Sequence, residues 1–208
     1  VEIFIGIDQS INSTGITIQK FEDDKKISKE FFIIKPNKLT KKENDVNCLL
    51  NDFEYITYIK KDKKDCLDNN DFELSKVHNV INISDKILDL INSNVKNKLD
   101  KLYIALEGIS FQSSQTKSLI DLSGLSYIIR YRILNYFMSH QDQLGGLFIL
   151  TPGEIKKFAT GNGNAKKDSM IALFENLNPS LKQIQKNDDL ADSYWISEYL
   201  ININKKCS

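Results

Sequence analysis

The 208-residue chain is 41% apolar and 27% charged, a balance that excludes a disordered chain and suits a globular fold with a sizeable core. Its 28 basic and 28 acidic residues cancel, so no net field announces a polyanionic partner, although a single basic face would serve one equally well. No apolar run approaches the roughly 20 residues that span a bilayer, and the opening residues read as a strand rather than a signal peptide; a cytoplasmic setting is expected.

Residues 2–8 (EIFIGID) form an apolar run ending in Asp8, and after the polar turn QSINST a second run, Gly15 to Ile18, completes a hairpin. Lys29 to Ile34 is the third strand, closed by Pro36. From about 39 to 74 the text changes to Lys, Asp and Asn clusters around short apolar islands. This stretch reads as an insertion, a solvated and partly mobile loop, in which FEYITYI has the composition to pair as an extra edge strand. Three-and-four spacing of Val77, Val80, Ile81, Ile87, Leu88, Ile91 and Val95 predicts a helix over 75–96. Leu102 to Leu106 is a short continuous apolar strand that delivers Glu107 at its C-terminal end.

Residues 116–138 have a helical pattern apolar on most faces, implying burial on more than one side, and a protein partner such as a second copy would cover the outer one. Leu147 to Leu150 is another core strand. Thr151, Pro152 and Glu154 then supply an N-cap, a proline at the first helical position and a capping-box acid. Further helices are expected at 165–176 and 188–203, and no internal repeat is evident. Cys48, Cys66 and Cys207 are widely spaced and read as reduced thiols, while His78 and His140 suit surface or helix-packing roles.

The chemistry lies in the acids. Asp8 alone would be an ordinary turn residue. Glu107 ends a second apolar strand, and if the two strands run parallel as neighbours, both carboxylates leave the same sheet edge, where open α/β sheets place ligands. Asp189 and Asp192, spaced i and i+3, share one helical face; capping accounts for Asp188 but not for Asp192 beside a hydrophobic stripe. Converging carboxylates repel unless a hard cation compensates, which implies Mg²⁺, with Mn²⁺ as a substitute. Two such ions about 4 Å apart activate water and stabilise the leaving oxygen of a phosphodiester.

At these residues the chain resembles RuvC-type Holliday junction resolvases, of the ribonuclease H-like superfamily. The carriers, in family order, are FIGIDQSINSTGITI (4–18), YIALEGISFQSSQTKS (103–118), LTPGEIKKFATGNGNAKKDSM (150–170) and DDLADSYWI (188–196). The resemblance implies one α/β domain over 1–208 with an insertion at about 39–74. Its sheet would have about five strands, a three-stranded antiparallel meander plus two parallel strands, flanked by helices. It further implies that Asp8, Glu107, Asp189 and Asp192 are the catalytic, metal-binding acids, with Asp188 competing for the place of Asp189.

The implied activity is metal-dependent resolution of four-way and other branched DNA by paired symmetric nicks. A homodimer formed through the helix at 116–138 is implied as well. Phe111 falls where the family carries an aromatic that enters the junction centre, and an ordinary core phenylalanine accounts for it equally well. Lys156 and Lys167 fall beside the scissile phosphate, with Lys157 and Lys166 thickening the same basic patch. The Asn-, Lys- and Ile-rich composition resembles low-GC, phage or viral sequences, for which the setting would be wherever that DNA is replicated.

Three other readings compete. GIDQSxxSTG is similar to the phosphate hairpin of actin- and hexokinase-like ATPases and sugar kinases, but 208 residues with nine glycines leave no room for their second domain. A non-catalytic junction-binding protein, and a nuclease acting on RNA–DNA hybrids or transposon ends, are the others.

Overall fold

A computed structural model describes residues 1–109, 116–184 and 187–207. The first three strands, β1 (Glu2–Asp8), β2 (Thr14–Glu22) and β3 (Lys25–Pro36), form the expected antiparallel meander. Helix α1 (Lys41–Leu49), strand β4 (Phe53–Tyr58) and helix α2 (Asn69–Asn94) follow. Strand β5 (Lys101–Glu107), helix α3 (Thr116–Met138) and strand β6 (Leu144–Leu150) come next. Helices α4 (Pro152–Thr160), α5 (Lys167–Leu177) and α6 (Asn187–Cys207) close the chain. Among the described residues no helix is long and apolar enough to cross a membrane.

The six strands lie in the order β4-β3-β2-β1-β5-β6, one strand more than the sequence suggested. β1 pairs in parallel with β5, β5 with β6, and β3 with β4, so every strand except β2 ends at one common edge. The period-two alternation of a strand sends Ile3, Ile5 and Ile7 into a core shared with α2 and α3, and Phe4 into a second core shared with α5 and α6. Gly6 and Asp8 therefore face α6.

The stretch read as a solvated loop is instead built of secondary structure. Thr40 and Glu43 make a reciprocal capping box that starts α1, and the Lys35 ammonium pairs with Glu43. The Asn47 amide holds both backbone groups of Tyr55, accepting from its N–H at 2.8 Å and donating to its carbonyl at 3.3 Å. Phe53, Tyr55 and Tyr58 are buried. The few apolar residues in this charged text suffice because β3 offers an edge to pair with.

One boundary changes, and α3 leaves uncovered the outer face for which a partner was expected. α2 starts at Asn69, capped by the Asp68 side chain, so Val95 caps its end rather than lying within it. α3 buries only one face, through Leu125, Ile129, Ile133 and Phe137, while Ile120, Tyr127, Tyr131, Leu134 and Met138 stay exposed at three-and-four spacing.

The approach of α6 to the sheet is set by two glycines. A Cβ at Gly6 would run into the Ser193 carbonyl oxygen, and one at Gly15 into that of Asp189. Thr17 and Gln19, which follow Gly15 on the same face of β2, bond Ser193 Oγ at 2.9 Å and Ser197 Oγ at 2.8 Å. Residues 15, 17 and 19 of the strand thus read against 189, 193 and 197 of the helix. We expect Gly6→Ala to cost about 1–3 kcal/mol through forced backbone displacement, whereas Gly124→Ala, in open space on α3, should be neutral or gain up to about 1 kcal/mol of helix propensity. Urea midpoints of the two variants compare them directly; an unchanged midpoint for Gly6→Ala would mean that α6 is not pinned there.

Candidate functional site

Asp8 and Glu107 end β1 and β5. The register pairs Ile7 with Leu106, so the next residues leave adjacent strand ends side by side, on the face that α6 covers. Asp8 is also the cross-strand partner of Gly15, and Gly15 is the residue on which the Asp189 backbone rests. The bare glycine Cα is what lets the helix-borne acid approach the strand-borne one. Asp192 follows one turn later on α6 and lines a cavity of about 320 Å³ together with Glu107, Pro152, Lys156 and Lys167. All four acids named from the sequence are brought to one sheet edge.

Their electrostatics follow from that crowding. Burial first, then the charges of Asp192, Glu107 and Asp189, push the Asp8 carboxyl well above the usual range, against a smaller opposing pull from Lys167. Glu107 rises from 4.5 to about 7, through burial and then Asp192, while Lys167 and Lys156 pull it down. Asp192 is raised by burial and partly restored by Lys167. Asp189 acts on Asp8, while Asp188 pairs with Lys167.

The lysines divide into two kinds. Lys167 opens α5 and places its ammonium 2.9 Å from Asp192 and 3.1 Å from Asp188. Burial works against its charge, but Asp192 and Asp188 outweigh that and raise its pKa. α5 is anchored by Trp195 of α6, whose indole Nε1 donates to the Met170 carbonyl at 3.1 Å. Lys156, half-buried on α4, faces Glu107 and Asp192. Lys157 and Lys166 are exposed farther out. α4 begins with the Thr151–Glu154 capping box and ends at Gly161 in the left-handed region (φ 79°), which turns the chain toward α5. Phe111 lies outside the described residues.

Sequence reasoning missed Gln9. It is 6% exposed and its amide donates to the Glu107 carbonyl oxygen at 2.9 Å and to Ser126 Oγ of α3 at 3.0 Å, tying both acid-bearing strand ends to a helix on the opposite face. Its place directly after Asp8 was the only available signal.

The donor set consists of oxygens alone, with no histidine or thiol, and suits a hard divalent cation. The mutual elevation of buried carboxylates is the demand such a cation answers. Among the described residues, however, no three acids, histidines or cysteines are drawn together tightly enough to cage an ion. Lys167, paired with Asp192 and Asp188, supplies positive charge beside the acids.

A raised carboxyl pKa binds its proton more tightly in the folded state, so this contribution to stability is full below about pH 4.5 and lost as pH rises through about 7. In metal-free buffer, Glu107→Gln should therefore leave the chain more stable than the unaltered protein by about 1–3 kcal/mol at pH 8, with the difference shrinking toward pH 4.5. Denaturant midpoints at pH 4.5, 6 and 8 measure it; a difference independent of pH would contradict the acid-crowding account.

No protein-family model and no curated relative matches this sequence. Solved structures match in shape. Thermus thermophilus RuvC aligns with a TM-score of 0.55 at 13% identity, over 97% of this chain and 96% of that one. The structure of T. thermophilus RuvC in complex with Holliday junction substrate gives 0.54 at 13% identity, over 98% and 96%. At such identities the likeness establishes architecture: the chain has the ribonuclease H-like α/β fold of these structures, built on its six-stranded sheet.

Proposed function

We propose that the chain is a metal-dependent endonuclease of branched DNA, nicking four-way junctions through Asp8, Glu107, Asp189 and Asp192. The observation that carries this reading is the convergence of four acids, drawn from three separate stretches of sequence, at one sheet edge beside Lys156 and Lys167. Support for the substrate comes from the shared fold, since one neighbour of that fold is described in complex with a Holliday junction.

In this reading the four acids hold Mg²⁺, two ions per site, with Mn²⁺ as a substitute. The bound metal would supply an activated water and charge stabilisation at a phosphodiester. The protein's own groups do the rest. Lys156 and Lys167 sit on the open side of the acids, where their ammonium groups can hold phosphate oxygens, and Lys157 and Lys166 extend the basic surface along the strand's path. Gln9 fixes the strand end that carries Glu107. Single-domain organisation and a cytoplasmic or viral-replication setting belong to the same proposal.

A homodimer suits the exposed apolar stripe of α3. Tyr127 and Tyr131 are each about two-thirds exposed and Met138 73% exposed, and a contiguous exposed apolar stripe of this kind marks a contact surface. Pairing two copies through this stripe would set two sites on one junction for symmetric nicks.

The test is a panel of a four-way junction, a flap, a linear duplex and an RNA–DNA hybrid, each with and without Mg²⁺. Paired, 5′-phosphorylated nicks in the junction are the expected result. Preference for the hybrid would replace the substrate, and ATP turnover without cleavage would replace the reaction. Asp8→Asn and Glu107→Gln should each lower nicking at least about 100-fold while junction affinity stays within about threefold; activity retained in both would remove these residues from the site. Mg²⁺ should raise the melting temperature of the unaltered chain, and Asp8→Asn should abolish that rise.

A further inference from the structure

On the sheet face opposite the acids, a cavity of about 520 Å³ opens between the first turns of α2 and α3 and the segment that follows β4. Its floor is apolar: Phe72 and Val77 from α2, Ile120 and Ile128 from α3, and Ile11 from the loop after Asp8. Gly124 leaves a gap in that floor, with nothing within 4 Å of where its side chain would stand. The rim carries Lys60, Lys61, Lys63 and Lys76 against two acids, Asp62 and Asp121. Lys61 and Lys76 are already paired with Asp71 and Glu73. Lys60 and Lys63 make no ion pair among the described residues: Lys60 donates to the neutral Asn12 side chain at 3.1 Å, and Lys63 lies over the Phe72 ring at 5.7 Å.

The cavity is tied to the acid edge. β4 runs parallel to β3, so its end opens at the edge where β1 and β5 end. The Tyr58 hydroxyl donates to the Ile11 carbonyl at 2.8 Å, and Ile11 is only three residues from Asp8. Three residues reach at most about 11 Å, a span of only a few nucleotides at the roughly 3.4 Å rise per nucleotide of duplex DNA.

We propose that this cavity receives an unpaired nucleotide of the DNA, its base against the Phe72-lined floor and its phosphate on Lys60 and Lys63, while a linkage a few nucleotides away lies at the acids. An apolar, aromatic floor with a basic rim is the chemistry that single-stranded nucleic acid recognises, and the volume lies in the range of small-ligand sites. A second copy would pair farther along α3, through Tyr127, Tyr131, Leu134 and Met138; it is the poorer occupant of the cavity itself, because two-fold pairing across this opening would bring lysine rim against lysine rim. The inference rests on the branched-DNA reading, since it names the part of that substrate this face would take.

The probe is oligothymidylate, whose binding to the full chain is followed by fluorescence anisotropy across a salt series. Gly124→Phe, which fills the gap from an open helical position, should weaken binding about tenfold. The double substitution Lys60→Gln with Lys63→Gln should reduce the slope of log affinity against log salt by about 1.4. If Gly124→Phe fails to fold, the lysine variant decides alone. Unchanged affinity and slope would overturn the proposal. A change in oligomeric mass for Gly124→Phe with oligothymidylate binding intact would assign the face to a second copy instead, and so overturn it too. Failure of the nuclease reading would show separately, as absence of junction cleavage by the unaltered chain whatever its affinity for oligothymidylate.

Discussion

The near-contact of α6 with the centre of the sheet is the constraint on which the rest depends. A helix normally packs at about 10 Å from a sheet because side chains on both surfaces keep the backbones apart. Gly6 and Gly15 remove that spacing on β1 and β2, and Ser193 and Ser197 keep the helix side equally slim. Asp189 consequently rests on the residue directly across from Asp8. Larger residues at those four positions would still give a helix on a sheet, but the helical acids would stand too far from the strand acids to act with them.

That proximity has an electrostatic cost, visible in the upward displacement of Asp8, Glu107 and Asp192. Lys167 offsets part of it through paired contacts to Asp188 and Asp192. A lysine suits this place because its flexible stem lets one ammonium serve two carboxylates and then move. The same group that relieves repulsion among the acids lies at the mouth of their cavity, where a phosphate would arrive. Asp188 belongs to this counter-ion arrangement, which explains a second acid in the first turn of α6 better than capping alone.

Much of this was legible in the sequence because the informative segments obey one local rule each. The hairpin from β1 to β2, the strand before Glu107, the α3 pattern and the Thr151–Glu154 box are all short-range patterns, and the structure has each of them. Placing Asp8 beside Glu107 required only that two apolar strands be parallel neighbours. In the 39–74 segment the edge strand that FEYITYI allowed is present as β4, beside the free edge of β3, whereas α1 was missed because it is stabilised from outside, by the pairing of Glu43 with Lys35. Composition does not report that pairing. Gln9 was missed for a related reason, since its bonds to Glu107 and Ser126 span 98 and 117 residues and no periodicity encodes them.

The added strand changes what the acid-bearing edge can present to solvent. With five strands, the edge on the β3 side would expose an unpaired ladder, which natural sheets cover or charge. β4 pairs with it and becomes the new edge, where the Asn47 amide satisfies both backbone groups of Tyr55; being parallel to β3, it returns the chain to the acid edge, where the lysine-rich segment from Lys60 onward emerges. Lys60 and Tyr58 then bond the loop that follows Asp8. One structural remedy for a bare edge therefore also sets positive charge on the far side of the acids from Lys156 and Lys167. In a chain with no net charge, basic groups therefore stand on both sides of the carboxylates, Lys156 and Lys167 on one and Lys60 on the other.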